Sequence, residues 1–263
     1  MKLFELRRQV PQQLMRFLAV AGFVLAIASY FWISNLGFIN AHFVPGPTRL
    51  WEAAVAIFSS DYLLVDFRVS FIRVTAGFLL AALIAVPLGT LIGGFRVFEG
   101  LLQPLTEFAR YVPVPALIPL LMVFFGIEET PKVMLIFIGV FFQLLLMVAD
   151  EIRRVPYDLI QVSYTLGAGR REVIGQVLVR AALPGIFDAL RLCNGWAWTY
   201  LVVAELIAAE AGLGYRILRF YRYKQIPEMY IYLILLGILG LLLDFAFREF
   251  NRRAFHWAET TKR

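Results

Sequence analysis

The sequence predicts an all-α polytopic membrane protein with six transmembrane helices and both termini on the cytoplasmic side. Three observations carry that expectation. Hydrophobic residues make up 60% of the chain and charged residues 17%, with a mean hydropathy of +0.74. Soluble domains run at about 45–50% apolar and about 25% charged, so the bilayer has to be the solvent for much of this surface. Charge-poor runs near the ~20 residues that cross a hydrocarbon core recur along the chain. The 25 lysines and arginines divide roughly two to one in favour of the side that six spans and a cytoplasmic N-terminus place inside, the sense of the positive-inside bias.

The elements follow in order. The first apolar run, residues 17–33, begins after Arg16. It is long, and no small-x-small site followed by a polar mature domain closes it, so it reads as a span and not as a cleaved signal peptide. Residues 34–70 are too many for a tight turn. Within them Phe43-Val44-Pro45-Gly46-Pro47-Thr48 is a turn signal, and residues 50–58 have helical spacing with Trp51, Val55 and Phe58 on one side. That stretch reads as an external amphipathic helix lying on the bilayer. Span two is expected over residues 74–94, with Pro87 inside it. Span three, residues 111–127, carries Pro113, Pro115 and Pro119 and reads as a kinked span, since neighbouring helices in a membrane can re-satisfy freed carbonyls. Span four covers 133–149, span five 182–208 and span six 229–247.

Several function classes are excluded or disfavoured. One cysteine rules out a disulfide framework or a thiolate metal cluster. His42 and His256 are far apart, no metal site is expected, and neither histidine carries evident chemistry. The net charge of +6 is topology chemistry, with no aromatic-interleaved basic stripe for nucleic acid. There is no Gly-x-x-x-x-Gly-Lys-Ser/Thr phosphate loop, so the chain is not expected to be an enzyme or to hold a nucleoside triphosphate; energy comes from a partner or from an ion gradient.

Residues 150–181 interrupt the apolar pattern. Loops this long are usually functional or disordered, and this one is not of low complexity. It contains Thr165-Leu166-Gly167-Ala168-Gly169, then Leu183-Pro184-Gly185-Ile186 just beyond it. Further on come Val202-Val203-Ala204-Glu205 and Gly212-Leu213-Gly214-Tyr215. Upstream stand Arg73-Val74, Gly77-Phe78, Pro87-Leu88-Gly89 and Phe124-Phe125-Gly126-Ile127. In this order and spacing the chain resembles ABC importer permeases of the nitrate, sulfonate, taurine and bicarbonate type, from about residue 43 to the C-terminus. It departs from their pattern at Gln161-Val162-Ser163, where a Glu-Ala-Ala triplet is usual, and at Val179-Arg180, where a Leu-Pro is usual.

The resemblance implies a type I ABC importer (MetI-like) permease fold forming one transmembrane permease domain over residues 1–263 in the bacterial inner membrane. It implies a homodimer, two cytoplasmic ATPase subunits that hold ATP and Mg, and an external solute-binding protein that delivers a small solute for alternating access. An ion-gradient-driven secondary transporter or channel is the rival reading. It usually shows internal repeats with broken helices at matching positions, and the sequence has none.

Three groups of residues are candidate sites. Residues 150–181 are the expected ATPase-coupling loop, with Ser163, Thr165, Leu166, Gly167, Ala168, Gly169, Arg170 and Arg171 around a glycine hinge. A short helix over residues 170–180 is expected to present Val173 and Ile174, with Val177 and Leu178, to a partner groove. In span five, Arg191, Asn194, Trp198 and Glu205 share one helical face and are the candidate translocation path, since ionisable groups within spans are functional by default. Asp188 and Arg191 also form a possible i, i+3 structural pair. Outside, Arg216, Arg219 and Arg222 interleave with tyrosines against the positive-inside trend. This basic face suits either an anionic solute or lipid phosphates, and it inclines the reading toward an anion.

Overall fold

A computed structural model describes residues 11–35 and 43–257. His42 and the terminal basic residues Lys2, Arg7, Arg8, Lys262 and Arg263, which entered the orientation argument, lie outside the described residues. Among the described residues the chain is helical, with no strand.

Helix α1 (Gln12–Asn35) turns its apolar side chains outward, Phe17, Phe23 and Leu25 among them. Helix α2 (Pro47–Phe58) starts with Pro47 in its first turn, where the missing N–H is no loss. It buries Ala53 and Ile57 and leaves Trp51, Val55 and Phe58 exposed, the division that the spacing of residues 50–58 predicted. Helix α3 runs Tyr62–Gly94. The expected start at 74 is therefore corrected: the charges before it do not end the helix, because Asp66 and Arg73 are buried against partners. Arg68 and Arg73 lie on this helix, before the expected start of span two.

Span three is also corrected. Helix α4 (Arg96–Arg110) meets the segment Val114–Phe125 at 90°. That segment is a 3-10 turn, Val114–Leu117, followed by the short helix α5 (Ile118–Phe125). Pro113 and Pro115 explain the break, since each lacks the N–H of a continuing helix, and Pro119 sits in the first turn of α5, where that loss is free. Helix α6 (Thr130–Arg153) and helix α7 (Tyr157–Thr165) follow. Then α8 (Arg170–Glu172), a π-helical stretch Val173–Leu178 and α9 (Val179–Ala208) form one unbroken helical run. Residues 170–181 thus lie in the same helical run as the expected span five. A short helix α10 (Leu213–Arg222) and the long α11 (Ile226–Ala254) close the bundle.

Five of these helices are long and apolar enough to cross a membrane, and the bent α4–α5 pair makes up to six. The core is the contact between α3, α6 and α9. Ala81, Ala85, Ile136, Val140, Leu144, Val148, Ala189, Cys193 and Leu201 form its centre. Cys193 is wholly enclosed there. Glycines let α3 lie against α6 at backbone distance: a Cβ on Gly89 or Gly93 would sit 2.7 or 2.5 Å from a carbonyl of α6. A smaller cluster of Ile118, Leu121, Leu135 and Ala204 seats α5 on α6 and α9.

Candidate functional site

At one end of the bundle the chain buries a network of charges. Helix α3 places Asp66, Ser70 and Arg73 on one face, at i, i+4 and i+7. Helix α9 brings Glu205, and the turn into α10 brings Gly212, Leu213 and Gly214. The Glu205 carboxylate is 0% exposed. It accepts hydrogen bonds from the Ser70 hydroxyl (2.7 Å), from Arg73 Nη1 (2.8 Å) and from the Gly214 N–H (2.8 Å). Ser70 Oγ in turn accepts from the Leu213 N–H at 2.8 Å. A buried carboxylate is tolerable only when its lone pairs are met in this way.

Arg73 distributes its fork of donors over three elements. Nη1 also reaches the Ala211 carbonyl at 2.6 Å, and Nε and Nη2 make a bidentate pair with Glu129 at 2.5 and 2.6 Å. Glu129 stands just before α6, 60% exposed, and Lys132 Nζ donates to it at 3.0 Å. The hydrogen bond from Arg73 is the first cause that holds the Glu129 carboxyl down at about 2.

Asp66 has its own set. Arg216 Nε donates to Oδ2 at 2.6 Å, the Tyr232 hydroxyl donates to the same oxygen at 3.0 Å, and the Gly212 N–H donates to Oδ1 at 3.0 Å. The Arg216 guanidinium also stacks 4.3 Å from the centre of the Tyr62 ring. Gly212 adopts φ +127°, and a Cβ there would fall 2.3 Å from Glu205 Oε1. The backbone can therefore close over the carboxylate only with glycine. Three stretches that are distant in sequence, around Arg73, Val202–Glu205 and Gly212–Tyr215, meet at this one point.

Two sequence expectations change here. Glu205, expected on the path, is enclosed and partnered within the chain, while the open face of α9 carries Leu192, Trp196 and Thr199. Arg216, Arg219 and Arg222 do not form one basic face. Three-residue steps turn each side chain by about 60° against the last, so Arg216 points inward to Asp66 while Arg219 and Arg222 are exposed.

The other end of α9 holds Arg191. Its Nη1 donates to Asp244 at 3.0 Å, and its Nε lies 3.5 Å from Asp188. Asp188 also accepts from Asn251 at 3.1 Å, and Asp244 pairs with Arg248 at 2.7 Å. Arg191 is thus tied between α9 and α11. Trp198 is 7% exposed, with its indole N–H enclosed and unpartnered. Asn194 is half-buried between them. The four residues grouped from the sequence are spread along α9.

The polar interruption forms a separate surface. Helix α7 ends in a Schellman motif: the Ala168 N–H reaches Ser163 O and the Gly167 N–H reaches Tyr164 O, both at 3.0 Å, with Gly167 at φ +86°. The Ser163 and Thr165 hydroxyls are spent on backbone carbonyls one turn back. Tyr157, Leu159, Val162 and Tyr164 stand exposed, and Leu166 is 82% exposed. Glu172 caps the next helix by accepting from the Gly169 N–H at 2.8 Å. Arg170 lies 5.1 Å from the centre of the Phe95 ring, and Arg171 is exposed. Val173 and Leu178, expected as docking anchors, are buried in the chain's own core, and Ile174 is half-buried. The extra residue of the π-helical turn sets which face of this stretch looks inward, and periodicity of 3.6 does not foresee that. The apolar surface lies one element earlier, on α7.

Among the described residues no group of three or more His, Cys, Asp or Glu is placed to hold a metal ion. Residues 77–256 match the family profile described as binding-protein-dependent transport system inner membrane component. The chain is similar to a probable ABC transporter permease protein of Brucella abortus (strain 2308), 34% identical, covering 92% of this chain and 96% of that one. It is also similar to a putative aliphatic sulfonates transport permease protein of Bacillus subtilis (strain 168), 32% identical over 88% of this chain and 84% of the relative. Among solved structures, an inward-facing methionine ABC transporter, MetNI, superposes with a TM-score of 0.60 at 22% identity, covering 79% of this chain and 98% of the other. That likeness speaks for the fold.

Proposed function

From the premise that the chain belongs to the binding-protein-dependent transport system inner membrane components, an ABC importer permease family of multi-pass inner-membrane proteins, we propose that it carries a small oxyanion such as a sulfonate, nitrate or bicarbonate. Two copies surround the path, two ATPase subunits bind ATP and Mg on the cytoplasmic side, and an external binding protein delivers the solute. Both termini lie in the cytoplasm, and transport runs by alternating access.

The exposed apolar surface of α7, fixed by the Gly167 turn and capped by Leu166 at 82% exposure, carries this reading. A short helix with apolar anchors and charged flanks suits a groove on a partner. It stands beside the end of α6 opposite the buried charge network, and α6 with 24 residues is roughly 36 Å long. On this reading docking at α7 and solute delivery near the Glu205 end take place on opposite sides of the bilayer.

The test is reconstitution with the cognate ATPase and binding protein in vesicles. ATP-dependent uptake is expected, and Leu166→Asp is expected to abolish it and release the ATPase while the permease still inserts. Uptake by the permease alone, driven by an ion gradient, would refute the reading.

A further inference from the structure

The open face of α9 borders a cleft of about 380 Å³ between the end of α4, the 3-10 turn, α6 and α9. That volume lies within the usual ~300–1,000 Å³ of small-molecule sites. Arg110, Phe142, Gln143, Trp196, Thr199 and Tyr200 line it, and no carboxylate does. Gln143 is 13 residues from the start of α6, roughly 20 Å along the helix, and Thr199 is nine residues from the end of α9, roughly 14 Å. The cleft is therefore at mid-span and not at either surface.

Its charge is unbalanced. Arg73, Lys132, Arg153, Arg191 and Arg216 each have a carboxylate partner. Arg110 has none within 4.0 Å among the described residues; its guanidinium meets only the neighbouring Tyr111, hydroxyl at 3.2 Å and ring centre at 5.0 Å. A guanidinium offers five donors in a planar fork matched to oxyanions. Gln143 and Thr199 add neutral hydrogen-bonding groups, and Trp196 and Phe142 add apolar walls. Room for the Tyr200 ring at the cleft edge comes from Gly139, where a Cβ would lie 2.4 Å from that ring.

We propose that this cleft is a transit site for a small organic oxyanion, with the anionic group on Arg110 and the carbon tail against Trp196 and Phe142. The proposal rests on the permease reading above and gives this chain a share in substrate selection. The residues expected from the sequence to line the path do not enter it.

Charge-selective thiol labelling tests it in the complete complex. Thr199→Cys is placed in the otherwise native chain, whose Cys193 is 0% exposed. Rates of modification by 2-sulfonatoethyl and by 2-(trimethylammonium)ethyl methanethiosulfonate are compared, without nucleotide and in the nucleotide-trapped state. The anionic reagent is expected to be favoured relative to the same ratio for free cysteine. That preference should fall about tenfold in Arg110→Gln, the scale of one unit charge acting across a partly screened cleft, and persist in Arg110→Lys. Absence of labelling in both states would overturn the proposal, as would a ratio that Arg110→Gln leaves unchanged. The labelling needs no transport. A Thr199→Cys complex that labels as expected, when neither it nor the parent complex shows ATP-dependent uptake, would sink the importer reading alone.

Discussion

Replacing Glu205 with glutamine separates a scaffold from a path most sharply. The side chain keeps its shape, but one oxygen becomes an NH2. On either side that group meets a fixed donor, Arg73 Nη1 on Oε1 or the Gly214 N–H on Oε2, each at 2.8 Å. One hydrogen bond to a charged group is lost, about 1.5–3 kcal/mol, and a buried donor is left unmet, about 1–3 kcal/mol. Arg73 keeps Glu129 and the Ala211 carbonyl, so the lower part of the ~3–5 kcal/mol typical of breaking a buried pair applies. A loss of about 3 kcal/mol corresponds to a fall of roughly 6–12 °C in melting midpoint for a chain of this size. The midpoint of the assembled complex in detergent, read by fluorescence-detected size exclusion, measures it, with yield as a second readout. A variant that melts like the parent but has lost uptake would refute the scaffold argument and restore a path role for Glu205.

Three further outcomes are expected. Arg191→Gln should lower assembled yield only modestly, because the carboxylates it leaves are part-exposed and keep Asn251 and Arg248, and such pairs are worth about 0–1 kcal/mol; a collapse of yield would contradict this. Gly212→Ala should prevent normal assembly, through about 1–3 kcal/mol of backbone strain at φ +127° added to the clash with Glu205, and an alanine variant of native midpoint would count against the tight turn. Glu129 is depressed from 4.5 to about 2, so its contribution is present above pH ~4.5 and is lost as pH falls toward ~2; the midpoint difference between parent and Glu129→Gln should stay constant from pH 8 to about 5 and shrink below, whereas a change near neutrality would contradict the assignment.

Span existence was legible because apolar runs are long, but span ends were not. Charges near Tyr62–Arg73 looked like a loop, because a lone Asp or Arg in a span is costly. The cost vanishes once Asp66 meets Arg216 and Arg73 meets Glu129 and Glu205, pairings that span up to 150 residues of sequence. A signal did exist: Asp66, Ser70 and Arg73 share a helical face that continues into Gly77. The apolar faces of the coupling loop were hard to read for a different reason. The helical spacing is real, but Val173 and Leu178 face the chain's own core, and amphipathicity alone does not say whether a face turns to the protein or to a partner. Arg110 was counted as one of many inside cations; its lack of a carboxylate partner is visible only in three dimensions.

The two ends of α9 differ in how firmly they are held, and the difference bears on mechanism. At the Glu205 end the carboxylates of Asp66 and Glu205 are fully enclosed, each with fixed donors from two or three elements, so α3, α9, α10 and α11 are bound there as a block. At the other end α9 is linked to α11 by the part-exposed contacts Arg191–Asp244 and Asp188–Asn251, and exposed ion pairs are worth about 0–1 kcal/mol. The helical run from Arg170 through the π-helical turn to Ala208 joins these two ends without a break. On the importer reading, a push on α7 is passed through Gly167–Gly169 to the start of that run, where rearranging part-exposed ion pairs costs little. On the same reading the far end, held by the enclosed carboxylates, follows as a rigid body. On the importer reading, the cleft beside Trp196 and Thr199 lies on the lever between them, so its opening is set by the tilt of α9 and not by breaking the Glu205 network.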